Sequence, residues 1–301
     1  MRKIIPFFAL FTVVCIQCKT ENTQDSQSTI IVEEVPNDLA KVPESWVTER
    51  VAIAKAKLST TEAGKIVWKA MEAHGGLDNW YNNGPIGFHF NYQPLDGGVA
   101  RNTYQIINPW NSTARHQDFE DRSKEYGWDG KQAWVTTKDT ASFKYNTRFW
   151  SITPYFFIGQ PFVLDGQGTN LESLGKRTHA DKSYDAIKVT FDAGTGDAPD
   201  DYYVLYFEES THQLGVIRYI VSYPAYFNKG EHLPEKFMTV QGLTTVNKIV
   251  LSTGYHTHWL AEDETAGEHI TTITINDIAF KPDTKSAYFE VPKEATILEG
   301  L

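Results

Sequence analysis

The sequence predicts a mainly β protein that begins with α-helices and continues as an antiparallel meander. Two observations lead to this fold class. Strand patterns with alternating apolar and polar residues follow one another from residue 86 to residue 280. Ahead of them, residues 63–71 carry apolar side chains at helical spacing. We expect such a meander to curl or close, because exposed edge strands invite pairing with other chains.

The first residues have the order of a secretory signal. Arg2 and Lys3 precede an apolar run, Ile4–Ile16, that only Thr12 interrupts. As a helix this run would cover about 20 Å, whereas the hydrocarbon core of a bilayer is about 30 Å thick. We therefore expect export without a transmembrane span. The predicted destination of the protein is the cell envelope, outside the cytoplasm.

A cysteine closes this segment, and polar sequence follows it directly. Cys18 and the residues after it, 19–22, resemble a bacterial lipoprotein signal, in which the cysteine becomes the acylated first residue of the mature chain. The resemblance implies residues 1–17 as signal peptide and Cys18 as the site of lipidation. Cys15 is a competing site, and an ordinary secretory signal is the alternative. Lipid chains on Cys18 would anchor the protein to a membrane, and the resemblance implies the outer membrane, on its periplasmic or its surface face.

Composition narrows the possible functions. The net charge is −10, and removal of residues 1–17 takes away Arg2 and Lys3 and leaves −12. A surface with this much negative charge repels phosphate backbones, and we therefore do not expect nucleic acid as a partner. Both cysteines precede residue 19, which leaves the rest of the chain without disulfides or thiol chemistry.

Three regions are predicted along the chain. Residues 1–17 form the signal peptide, and residues 18–45 are a polar, acidic tether. Residues 46–301 then form a single β domain, expected to be monomeric. Its first helix is predicted over Ser45–Lys57. The second begins with a capping box, Ser59 to Glu62, and ends at Gly75-Gly76.

The strand patterns are separated by turn signals such as Asp129-Gly130 and Thr211-His212. The predicted strands are Ile86–Tyr92, Arg101–Ile107, Thr113–Phe119, Lys124–Trp128, Gln132–Thr137, Asn170–Gly175, Tyr184–Phe191, Tyr202–Phe207, Leu214–Tyr223, Thr245–Leu251, Gly254–Leu260 and His269–Phe280. Residues 149–164 break this rhythm. They are rich in Phe, Trp and Tyr and contain two prolines. They are predicted to be a core plug or a mobile lid over an apolar space.

The order of these parts resembles the LolA/LolB-like superfamily of lipoprotein carriers and receptors. His74-Gly75-Gly76 ends an amphipathic helix, Trp80 follows, and an aromatic segment with Pro161, Phe162 and Leu164 interrupts the meander. The segments 206–214 and 289–295 add an acidic strand-turn-strand and a typical ending. The resemblance covers residues 60–297, and no residue here matches the ligand-contacting arginine or the membrane-inserting leucine of that family.

This resemblance implies an incomplete, half-open β-barrel wrapped around the amphipathic helix, with a hydrophobic cavity that accepts acyl chains. The implied protein binds a lipid or other hydrophobic small molecule, is not an enzyme and needs no cofactor. Nine residues are the candidates for the cavity: Phe88, Phe90, Trp150, Phe156, Phe157, Phe162, Ile66, Val67 and Met71. A solid core formed by the same residues is the alternative.

Other chemistry is weighed against this hypothesis. His256 and His258 alternate on one strand and would face the same side, as two metal ligands do, with His116, His89 or a carboxylate as third ligand. A metal- or carboxylate-based envelope hydrolase is therefore one alternative. A surface module that binds glycans through Trp and Tyr is another. The aspartates of the 192–201 loop fit a solvated hairpin turn better than a calcium site.

Overall fold

The computed structural model describes residues 38–137, 140–166 and 168–299. The predicted signal peptide, Cys18 and most of the predicted tether lie outside the described residues. The last tether residues contact the domain. Leu39 forms a β-bridge with Lys285, and the amide of Ala40 donates to Thr284 O at 2.8 Å.

Three helices open the domain: α1 (Glu44–Leu58), α2 (Glu62–Ala73) and α3 (Leu77–Asn82). The predicted capping box is wrong. Because α1 continues through Leu58, Ser59 caps the end of that helix and its hydroxyl donates to Lys55 O. Thr61 is the N-cap of α2 and accepts from the amide of Gly64 at 3.0 Å.

The described residues also form thirteen β-strands in one antiparallel sheet. They are β1 (Ile86–Pro94), β2 (Arg101–Ile107), β3 (Ala114–Asp118), β4 (Glu125–Trp128), β5 (Ala133–Val135), β6 (Thr169–His179), β7 (Lys182–Phe191), β8 (Tyr203–Glu208), β9 (Leu214–Tyr219), β10 (Lys236–Val246), β11 (Ile249–Leu260), β12 (Ala266–Phe280) and β13 (Thr296–Ile297). Two short helices, α4 (Thr147–Trp150) and α5 (Thr153–Ile158), lie between β5 and β6. The 3₁₀ turns are Thr140–Phe143, Phe162–Leu164 and Ser286–Phe289.

The sheet consists of two meanders joined along one pair of strands. The strand order is β13-β5-β4-β3-β2-β1-β12-β11-β10-β9-β8-β7-β6. The first meander runs from β1 to β5 and the second from β6 to β12, and β1 pairs with β12 to connect them. Because β13 and β6 are the two edges, the barrel stays open. This confirms the predicted fold class.

The concave face of the sheet holds the main core. Phe88, Phe90 and Tyr255 have no exposed surface, and α2 packs its buried stripe, including Val67 and Met71, into the same cluster. A smaller cluster covers part of the opposite face around Tyr206 and Phe237. The sheet is therefore buried on both faces where β8, β9 and β10 lie side by side.

His74 fixes the end of α2 to the sheet. Its Nδ1 lies 2.8 Å from Val250 O, and its Nε2 accepts from the amide of Leu214 at 3.1 Å. These two contacts require the neutral tautomer with the proton on Nδ1, and burial lowers the pKa of the ring accordingly. Gly75 follows with a φ of 114°, where a side chain would meet Lys248 O.

Candidate functional site: an apolar cavity in the concave face

A cavity of about 360 Å³ lies between the aromatic segment and the inner face of the second meander. Most of its lining is apolar, and the volume falls within the range of about 300–1,000 Å³ of small-molecule sites, near its lower end. The space exists because the open sheet curves more widely than the helices inside it can fill. The cavity is the candidate site.

Helix α5 forms one wall of the cavity. Phe156 and Phe157 line the space, whereas Ile158 is almost completely buried in the core behind it. The hydroxyl of Tyr255 donates to Phe157 O at 3.0 Å and fixes the end of this helix. The aromatic segment is therefore a core plug on one side and a cavity wall on the other.

Helix α4 is held in place by a buried histidine. His116 Nε2 lies 2.7 Å from Ser151 O, and its ring stacks on Tyr126 with centroids 4.4 Å apart. Complete burial lowers the pKa of His116 to about 4, so the ring is neutral and donates this hydrogen bond. The contact positions Trp150, which precedes Ser151 and lines the cavity.

The far end of the aromatic segment is bound to the N-terminal helices. Phe162 stacks on Trp80 with centroids 4.9 Å apart. Asp165 accepts two hydrogen bonds from Arg50, at 2.7 and 3.0 Å, and one from the hydroxyl of Tyr81 at 2.7 Å. Bidentate arginine–carboxylate pairs fix orientation as well as position. These contacts favour a fixed wall over a mobile lid.

The opposite wall comes from the sheet. Tyr203 and Tyr219 lie on adjacent strands β8 and β9 and stack with centroids 5.8 Å apart. The ring centroid of Phe156, on α5, lies 4.4 Å from that of Tyr203. Phe191 lines the cavity beside these two rings. Aromatic side chains present large, rigid apolar surfaces to a ligand.

Two carboxylates line the cavity, and both have partners. Asp197 receives two hydrogen bonds from Arg148, at 2.7 and 2.8 Å. Asp201 is buried, and its Oδ1 accepts from both the amide and the hydroxyl of Ser222, at 2.6 and 2.7 Å. Residues 195–198 and 201 of the loop thus line the cavity, because Arg148 and Ser222 hold Asp197 and Asp201 inward. Asp192 and Asp200 stay exposed, as the solvated turn that the sequence favoured would have them.

Lys236 lines the cavity, and no carboxylate of the described residues lies within ion-pair distance of it, although Asp201 is near enough to attract it. It is the first residue of β10 and faces the concave side, as Met238 does two residues later. Its ammonium lies 5.5 Å from the ring centre of Tyr219 and 5.7 Å from that of Trp259. Burial lowers the pKa of Lys236 to about 8, and repulsion from Arg101 contributes to this change.

Arg101 is a second cation next to the cavity, although it is not one of the lining residues. Its guanidinium lies 4.7 Å from the ring centre of Trp150 and 4.9 Å from that of Tyr92, and both rings line the space. Its Nε is buried and has no hydrogen-bond partner among the described residues. Its Nη1 donates to Val99 O, and no carboxylate of the described chain pairs with it.

The nine predicted cavity residues divide into two groups. Trp150, Phe156 and Phe157 line the cavity. The others belong to the core cluster and are not among its lining residues: Phe88, Phe90, Phe162, Ile66, Val67 and Met71. Contact with a ligand stays a prediction for all nine. Sequence reasoning did not single out Lys236, Tyr203 or Tyr219 as site residues, and an isolated lysine that begins a strand gives no distinguishing signal.

His256 and His258 do lie on one face of β11, together with a third imidazole. His269 on β12 stacks against both, with ring centroids 4.6 Å from His256 and 4.8 Å from His258. The suggested third ligands lie elsewhere: His116, on β3, is buried against Ser151 O, and His89 is on β1. Among residues 38–137, 140–166 and 168–299, no set of three His, Cys, Asp or Glu side chains has the arrangement of a metal site.

The carboxylates that follow β3, at residues 118, 120 and 121, were candidates for the carboxylate-based hydrolase, and the first of them has a structural use. Asp118 Oδ1 accepts from the amides of Glu120 and Asp121 and so closes the turn after β3.

Within the described part of the chain, every helix is too short or too polar to cross a bilayer.

Comparison with known proteins gives one partial family match. The model of a family of unknown function, DUF6503, matches residues 129–236. All the cavity-lining residues except Tyr92 and Ser112 fall within that range. A search of curated proteins gives no match.

Several solved structures are similar to this chain. A LolA superfamily protein from Nitrosomonas europaea has a TM-score of 0.48 at 10% identity, over 78% of this chain and 97% of that one. A DUF1329 family protein from Desulfovibrio piger has a TM-score of 0.46 at 11% identity, over 81% and 97%. An outer membrane lipoprotein-sorting protein domain from Vibrio parahaemolyticus has a TM-score of 0.45 at 9% identity, over 75% and 95%. One of these similar structures is thus a protein of the superfamily that the sequence resembles.

Proposed function

We propose that this protein is a non-enzymatic lipoprotein of the cell envelope that binds a hydrophobic ligand, a lipid or an acyl chain, in the cavity of its half-open barrel. The observation that carries the proposal is the cavity itself. It is an apolar space of about 360 Å³ with aromatic walls, held open by hydrogen-bonded helices rather than filled by side chains.

The size of the cavity favours one chain rather than several. A volume near the lower end of the range of about 300–1,000 Å³ for ligand sites suits a single acyl chain. Each buried methylene contributes about 0.8 kcal/mol, so chain length sets the affinity. The proposed ligand is therefore a single-chain amphiphile or one chain of a larger lipid.

Filling the cavity tests this proposal. Val163 lines the space and is only partly buried, so Val163→Trp places an indole where the ligand would lie. The matched control is Leu243→Trp, because Leu243 is 39% exposed and lies on β10 near the hairpin with β11. We expect the full-length protein to bind a fluorescent naphthylamine probe, and the Val163 variant to lose at least tenfold in affinity while the control keeps it.

Native mass spectrometry supplies the second measurement. Full-length protein taken from cell envelopes should carry a bound lipid, and the Val163→Trp variant should not. If folded wild-type protein carries no lipid and does not bind the probe, the proposed function is wrong.

The proposed anchor has its own test. Cys18 lies outside the described residues, and its acylation follows from the resemblance of residues 1–18 to a lipoprotein signal. Labelled palmitate should enter the wild-type protein and not Cys18→Ala. Label that persists in this variant, and disappears in Cys15→Ala, would move the anchor to Cys15.

A further inference from the structure

Charged side chains of both signs lie around the cavity. Lys236 and Arg148 line it together with Asp197 and Asp201. Arg101 is not part of the lining, but its guanidinium lies over two of the lining rings, Tyr92 and Trp150. Arg101 therefore adds a positive charge next to a lining whose own charges balance.

Both carboxylates already have hydrogen-bond partners, whereas two of the cations have no ion-pair partner among the described residues. Arg148 holds Asp197, and Ser222 holds Asp201. Among the described residues, Lys236 and Arg101 have no carboxylate within ion-pair distance. A buried cation without a counter-ion is unfavourable, and ionisable groups in such environments cluster at functional sites.

Each of the two unpaired cations lies over aromatic rings of the cavity lining. They are also near enough to repel each other. The rings beneath them, Tyr92 and Trp150 under Arg101 and Tyr219 under Lys236, all line the apolar space. An anion between these cations would remain in contact with the start of the apolar wall.

We propose that the cavity recognises a single-chain amphiphile with an anionic head group, a carboxylate or a phosphate, and that Lys236 is the residue that binds this group, with Arg101 beside it. The chain lies against the aromatic wall of α5. This inference rests on the proposed function, because the head group alone would leave the apolar part of the cavity empty.

The experiment compares probes with one chain and different head groups. In each measurement one compound is used to displace a naphthylamine probe from the full-length protein. The four compounds are dodecanoate, dodecyl phosphate, dodecanol and dodecyltrimethylammonium. We expect one or both anions to bind at least tenfold more tightly than dodecanol, and the cation to bind more weakly than dodecanol. The two anions identify the source of the charge, since a carboxylate site prefers dodecanoate and a phosphate site prefers dodecyl phosphate. Inorganic phosphate alone should not displace the probe.

Variants assign the preference to Lys236. Lys236→Met should bind the anions no more tightly than it binds dodecanol, and Lys236→Arg should keep the preference for anions. Lys131→Met, which removes an exposed ammonium elsewhere on the protein, is the matched control. Circular dichroism verifies that each variant is folded.

The outcomes separate the two proposals. Equal affinity of wild-type protein for dodecanol and both anions would overturn the head-group inference and leave lipid binding intact. A preference that survives Lys236→Met would also overturn it. If no dodecyl compound binds to the folded protein, the proposed function fails and this inference fails with it.

Discussion

Replacing Lys236 with methionine should stabilise the folded protein in the absence of ligand. The pKa of this lysine falls from 10.5 to about 8, chiefly because it is buried. Since one pKa unit corresponds to about 1.4 kcal/mol, keeping the ammonium charged costs the folded state roughly 3 kcal/mol at neutral pH. Methionine is similar in length and carries no charge. We expect the variant to gain about 1–3 kcal/mol, the lower value allowing for the solvent contact that Lys236 retains.

The gain should depend on pH in a defined way. The unfolded chain keeps the Lys236 proton up to about pH 10.5 and the folded chain only to about pH 8. Between these values the unfolded state binds more protons, so the wild type gains stability with rising pH and approaches the variant. Below pH 8 the difference between the two proteins is constant. Three charged or titratable groups face Lys236, namely Arg101, Asp201 and Tyr219. Tyr219 stays neutral in this window because burial raises its pKa, and burial also raises the pKa of Asp201.

Denaturant unfolding at neutral pH and at several values up to pH 10.5 measures this effect. Lys131→Met should change the free energy of unfolding by no more than about 0.5 kcal/mol, because its ammonium is exposed. A Lys236→Met variant that is less stable than the wild type at neutral pH would refute the reasoning. So would a difference that stays constant from pH 7 to pH 10.5.

The anchoring contacts give three further predictions. His74→Ala leaves the buried amide of Leu214 without an acceptor and should cost about 2–4 kcal/mol in denaturant unfolding. Because burial lowers the pKa of His116 from 6.5 to about 4, the unfolded state binds more protons between these values, and stability should fall by roughly 3 kcal/mol on acidification through this window. His116→Gln should flatten that profile, and an unchanged slope would contradict the assignment. Asp165→Asn weakens the bonds that hold the aromatic segment to the helices and should cost about 2–3 kcal/mol, with weaker probe binding at a temperature where the variant is still folded.

Most strands were predictable because one face of the sheet is buried and the other is not. The strand β2 has the bounds that the alternation of its residues predicts, Arg101–Ile107. The strand β10 was missed for the opposite reason. Phe237 packs in the outer cluster and Met238 in the inner core, so both faces are buried and no alternation appears. Asn247 and Lys248, both with positive φ, form the hairpin turn that the sequence analysis placed inside a strand.

The candidate site was predictable only in part. The aromatic composition of residues 149–164 was enough to identify one wall. Which of those side chains face the space depends on the orientation of α5, and the distant Tyr255 helps to set it. The approach of Arg101 and Lys236 depends on sheet curvature, since they lie on β2 and β10, which are separated by three other strands. Local sequence patterns contain no information on such a distance.

The seam between the two meanders has a consequence for how the chain is made. Phe90 on β1 pairs with Ile275 on β12, so the first meander is synthesised long before its neighbour exists. At about 5–20 residues per second, the interval is roughly 10–40 s. During that time the backbone donors and acceptors along one side of β1 are open to strands of other molecules. Productive biogenesis therefore requires that this edge be shielded until the last long strand emerges.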